Sequence, residues 1–157
     1  MDKPLADVRV LAEPFNPAAT LACFTTEHSQ AGAVTCFIGQ VRGEHDVAAL
    51  ELTHYAPLTL PGMRDLAFEA QHRWAMQGLL VWHRIGSMLP GETIVLVAAA
   101  ARHRRAAFEA VDFLVDHLKA RAWFWKRELR SDGWHWIQPQ PEDYADLARW
   151  HDQRGMP

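Results

Sequence analysis

The chain has 157 residues, a net charge of −3, 49% hydrophobic and 22% charged residues, which fits one domain with a real core and excludes wholesale disorder. Its longest apolar run, 94–101, is far short of the roughly 20 residues that span a bilayer, so no membrane association is expected. The first residues mix charges without an apolar segment, and the two cysteines, Cys23 and Cys36, sit in apolar sequence surroundings; both features predict a cytoplasmic protein with neither signal peptide nor disulfide scaffold.

In chain order, 8–12 alternates weakly and reads as a strand. Asn16 followed by Pro17 is an N-cap with proline at the first helical position, opening a helix to about residue 28. The β-branched stretch 32–41 reads as a central strand, 43–46 as a polar turn, and 50–55 as a strand with Leu50, Leu52 and His54 on one side. Residues 61–76 form an amphipathic pattern with Met63, Leu66, Ala67, Ala70 and Trp74 on one stripe. Strands follow at 79–85 and 93–100, separated by the turn sequence LPGE at 89–92. The longest helix runs from 104 to about 121, its buried stripe marked by Phe108, Val111, Val115 and Leu118. Residues 123–130 and 134–137 read as a hairpin around the turn 131–133, and Pro141 opens a last helix to about residue 150. Strands and helices are mixed and two hairpin signals occur, so the fold class is α+β with a mixed or largely antiparallel sheet. One domain over 1–150 and a loose tail over 151–157 are expected.

Charge is unevenly spread. The segment 102–130 carries eight basic and four acidic residues, a surplus of +4 that leaves −7 for the rest of the chain. An acidic protein with one basic segment suits a local anionic ligand better than bulk nucleic acid. Arg42 follows a strand end, a place where arginine is more often simply solvated. The run 102–105 (RHRR) opens a helix, where cations oppose the helix dipole and so are not explained by helix stability. Free N–H groups beside His103 and Arg104 suit an anion instead. Lys119 lies in the last turn of that helix. Lys126 stands among Trp123, Phe124 and Trp125, surroundings that depress a lysine pKa and favour acid, base or nucleophile chemistry. From chemistry alone both lysines still read better as surface residues. The scattered histidines lack zinc-ligand spacing, so no metal or cofactor is expected. Trp134 and Trp136 share one strand face and read as core or interface.

The same residues carry a family resemblance. The stretches 32–42 (GAVTCFIGQVR), 52–55 (LTHY), 81–86 (VWHRIG), 89–92 (LPGE), 103–110 (HRRAAFEA), 118–128 (LKARAWFWKRE) and 134–136 (WHW) resemble the large, catalytic subunit of molybdopterin synthase over roughly 8–150. The resemblance implies an α/β hammerhead fold with an added antiparallel sheet. It implies a homodimer within a heterotetramer, each large subunit capped by a small ubiquitin-like carrier whose C-terminal Gly-Gly bears a thiocarboxylate. The activity implied is transfer of two sulfurs to cyclic pyranopterin monophosphate, forming the dithiolene of molybdopterin. It places substrate contacts on Gln40, Val41, Arg42, His103, Arg104, Lys119, Lys126, Arg127 and Glu128, with Lys119 and Lys126 as the catalytic pair. Gln40 stands where the family often has lysine, so position 40 brings no charge. The chain ends Gly155-Met-Pro, so the carrier is expected to be a separate protein. The alternative reading is a non-catalytic nucleotide- or RNA-binding module using 102–130. A last expectation is geometric: Arg104 and Lys119 stand on one helix about 22 Å apart at 1.5 Å per residue. One pterin does not reach both, which predicts a site shared between His103 and Arg104 of one copy and Lys119 and Lys126 of its twofold mate.

Overall fold

The computed structural model describes residues 5–121 and 123–152. Four helices and eight strands form two sheets, as the α+β reading expects. In the first sheet β1 (Ala6–Leu11) runs parallel to β4 (Gly78–Arg84), which pairs antiparallel with β6 (Thr93–Ala101), and β6 pairs antiparallel with β2 (Ala33–Gln40). In the second, β3 (Ala49–His54) lies between β5 (Gly86–Met88) and β7 (Phe124–Arg130), with β8 (Gly133–Ile137) at the edge, all antiparallel. The helices are α1 (Pro17–Glu27), α2 (Ala56–Trp74), α3 (Arg104–Ala120) and α4 (Pro141–Asp152).

β6 shows why its sequence is continuously apolar. Val97, Ala99 and Ala101 face α2 and α3, while Leu96, Ala98 and Ala100 face α1, so both sides are covered. The alanines leave room for helices on each side. α1 starts where the sequence indicates: the Asn16 side chain accepts from the Ala18 and Ala19 N–H groups at 3.0 and 3.2 Å, and Pro17 follows. The second sheet has its own small core of Val41, Leu50, Leu52 and Met88, packed against Ile94, Phe124 and Ile137.

Three local expectations are corrected. α2 begins at Ala56, not at Pro61, which lies inside the helix; a proline in the second turn forfeits one backbone bond, and the first turn is closed by Thr59 N–H to Tyr55 O at 3.1 Å. The strand expected at 79–85 ends at Arg84, and Gly86, with φ of +89°, redirects the chain into β5 of the other sheet. Phe108 is 49% exposed rather than buried; the stripe of α3 runs instead through Ala107, Ala110, Val111, Leu114 and Leu118. Cys23 and Cys36 are both exposed and free, Cys36 because it lies on the outward face of the edge strand β2. Among the described residues no helix is long and apolar enough to cross a membrane.

Candidate functional site

A cavity of about 600 Å³ opens where five pieces of chain meet: the end of β2, the C-terminal turn of α3, β7, the end of β8 with residues 138–140, and the start of α4. Strand alternation selects its lining. Phe124, Lys126, Glu128 and Arg130 fall on the cavity face of β7 and Arg127 on the other, while Trp125, on Arg127's face, also borders the cavity. Lys119 and Arg121 come from the end of α3, Gln40, Val41 and Arg42 from the end of β2, and Asp143 and Tyr144 from α4. The lining holds five cationic side chains (Arg42, Lys119, Arg121, Lys126, Arg130) against three carboxylates (Glu44, Glu128, Asp143). Glu128 Oε2 accepts from Arg130 Nε and Nη2 at 3.0 and 2.7 Å, so that pair largely cancels. The remaining charge favours an anionic ligand.

Lys126 is the most perturbed of these cations. It stands opposite Leu52 in the β3–β7 ladder, and burial pushes its pKa below the usual lysine value. The positive charge of Lys119 acts in the same direction, and Asp143 opposes it. The buried His83 of β4 stacks flat on Phe124, with ring centroids 3.9 Å apart. Its Nδ1–H donates to the Arg84 carbonyl at 2.8 Å, and burial pushes its pKa down to about 3, so the ring is neutral. The loop after β2 also lines the cavity through Glu44 and His45. His45 and Asp46 both take left-handed backbone, φ 57° and 60°, which histidine and aspartate tolerate better than most residues.

Of the residues expected at the site, Gln40, Val41, Arg42, Lys119, Lys126 and Glu128 line this one cavity. Three do not. Arg127 crosses to the outer face, where Nε donates to Glu51 Oε1 at 2.8 Å and the guanidinium lies 4.2 Å from the Trp134 ring. His103 and Arg104 are exposed at the opposite end of α3, His103 as an N-cap residue whose side chain caps nothing. The basic segment 102–130 is therefore divided between two ends of a helix and two faces of a strand, not laid out as one strip. Arg130, Asp143 and Tyr144 were missed: α4 reaches the cavity only through the tertiary fold. Alternation from Lys126 was the available signal for Arg130.

An α+β fold that gathers lysines and arginines from distant segments into one partly desolvated pocket defines a protein that handles an anionic ligand. Comparison with known proteins narrows that class. Residues 10–121 match the family described as MoaE protein. The molybdopterin synthase catalytic subunit of Caulobacter vibrioides is 43% identical over 147 residues, covering 93% of this chain and 98% of that protein. That of Mesorhizobium japonicum is 45% identical over 146 residues, covering 91% and 92%. The solved molybdopterin biosynthesis MoaE protein of Burkholderia ambifaria superposes with a TM-score of 0.79 at 39% identity, covering 93% of this chain and 98% of that one. A complex of subunits 1 and 2 of molybdopterin-converting factor from Helicobacter pylori shares the fold, with a TM-score of 0.74 at 20% identity. The chain belongs to the MoaE family.

Proposed function

We propose that this chain is the catalytic subunit of a molybdopterin synthase. It transfers sulfur from a thiocarboxylated small subunit to cyclic pyranopterin monophosphate. The observation that carries this reading is Lys126, half-buried beside Lys119 in a cationic cavity, in a chain whose relatives are named for that activity.

Arg42 and Lys119 supply charge to the substrate's cyclic phosphate, whose opening adds negative charge for them to stabilise. Lys126, held below the ordinary lysine pKa, releases and accepts a proton more readily near neutrality than a solvated lysine does. That suits it to proton transfer as the thiocarboxylate sulfur bonds to a substrate carbon and water then cleaves the acyl–sulfur bond, leaving the sulfur on the pterin and releasing the carrier as a carboxylate. The cavity is open at the surface, which suits entry of the carrier's C-terminal tail. The assembly is a homodimer of this chain within a heterotetramer, in the cytoplasm. His103 and Arg104 complete the cavity of the twofold mate, which accounts for their distance from Lys119 within one subunit. The decisive experiment is incubation with thiocarboxylated small subunit and the cyclic pterin. Formation of molybdopterin is expected, and its absence with a competent carrier refutes the reading.

A further inference from the structure

Arg84 ends β4 and is only 3% exposed. A guanidinium cannot shed its charge, so burying it demands a partner. Nη1 donates to Glu92 Oε1 at 3.2 Å, and Nε has no hydrogen-bond partner among the described residues. The second oxygen of Glu92 accepts the Leu89 N–H and so closes the turn 89–92 on itself. This turn is fastened to the strand end that carries Arg42. The β2–β6 register slips between Gly39 and Gln40, so the regular ladder no longer holds residues 41–43. Two bonds replace it: Val41 N–H to Glu92 O at 3.0 Å and Gly91 N–H to Val41 O at 2.8 Å. Pro90 packs against Gly43, where an added Cβ would stand 3.3 Å from its ring.

We propose that Arg84 and Glu92 are positioning residues for Arg42. Their ion pair fixes the turn 89–92, the turn fixes residues 41–43, and those hold the Arg42 guanidinium at the cavity. The proposal rests on the cavity being the anionic substrate's site. Even a fully buried ion pair adds little stability over a well-packed apolar pair, and Glu92 is 32% exposed, so stability alone gives little reason for this one. Neither residue lines the cavity, so their effect on substrate passes through Arg42.

Glu92→Gln tests this, since it keeps the shape and an acceptor for the Leu89 N–H but loses the ion pair. Hydrogen exchange at the Val41 and Gly91 amides is expected to speed by about tenfold or more while Val81 and Val97 keep their protection. In turnover with thiocarboxylated carrier, KM for the cyclic pterin should rise about tenfold with kcat within about twofold. In an Arg42→Ala background the same substitution should leave KM unchanged. An Arg84→Met/Glu92→Leu double variant removes both charges of the pair and should show the same exchange and KM effects; it carries the test if Glu92→Gln does not fold. Unchanged exchange at Val41 and Gly91 in a folded variant, or an equal rise in KM without Arg42, overturns the proposal. If the wild type makes no product, the functional reading falls, and exchange alone decides whether the clamp exists.

Discussion

Lys126 is a cation rising beside Leu52 from a small apolar core, with a second cation, Lys119, near enough to depress its pKa further. Lys119→Ala is therefore expected to do two things. Product formation falls to little or nothing, and the Lys126 pKa rises because a repelling charge is gone. Folding should be nearly untouched, since a cation in the last turn of a helix contributes at most about 1 kcal/mol. Lysine side-chain chemical shifts followed against pH measure the second effect; near-normal turnover, or a pKa that falls, contradicts the assignment. His83 supplies a second test. Folded, it resists protonation until about pH 3, whereas an unfolded histidine takes up a proton near 6.5. Between those values the unfolded chain binds more protons, so stability is complete above 6.5 and declines as pH falls, by up to about 1.4 kcal/mol per pH unit. His117, also buried with a lowered pKa, acts in the same direction. Denaturant unfolding of wild type and His83→Gln between pH 7 and 4 should show the flatter acid limb in the variant.

α4 shows how one element is both lashed down and brought to the site. Asp116 on α3, 9% exposed, accepts from Arg149 Nη2 and Trp150 Nε1, both at 2.7 Å, and the Trp150 ring packs edge-on to Phe113 and Trp74. This latch sets the far end of the helix whose first turn holds Asp143 at the cavity. Asp116→Ala strands the indole N–H in the core, a loss of about 2 kcal/mol that lowers Tm by about 4–8 °C. Calorimetry decides it, and an unchanged Tm would mean α4 is held by other contacts. Little of this was legible in the sequence, because Asp116 and Trp150 meet only through tertiary packing. Other features were legible for local reasons. Asn16-Pro17 marks a helix start by its own hydrogen bonds, and Leu50, Leu52 and His54 alternate because one face of β3 is covered. β5 was not legible, since three residues carry no periodicity and Gly86 alone turns the chain between sheets. The cavity was legible in part: the aromatic surroundings of Lys126 left it reading as a surface residue, and the family motif selected it. Strand alternation, however, already separates Arg127 from Lys126, and a motif match alone does not respect that geometry.

At the scale of the whole molecule, the open question is how two ends of α3 serve one reaction. Arg104 and Lys119 begin and nearly end a 17-residue helix, and only Lys119 lines the cavity. A second copy of the chain reconciles them. In the dimer proposed above, His103 and Arg104 of each subunit are placed at the other's cavity, where they add cationic charge for the substrate phosphate. The outer face of the second sheet offers surface for such a contact. Trp134 is 42% exposed there beside the Arg127–Glu51 pair, flanked by Trp125 and Trp136, 51% and 65% exposed, which also border the cavity. Aromatic residues with an arginine are the composition that interface cores favour. Complementation tests the arrangement. Arg104→Ala and Lys119→Ala are each expected to be inactive as homodimers, because every site lacks one of the two groups. After subunit exchange, a mixed dimer has one site missing both groups and one site missing neither. With equal amounts and free exchange, half of the dimers are mixed and each has one intact site, so activity should return to about a quarter of wild type. The measurement is product formed per total site, with exchange monitored by differently tagged subunits. Confirmed exchange without recovery would overturn the shared site.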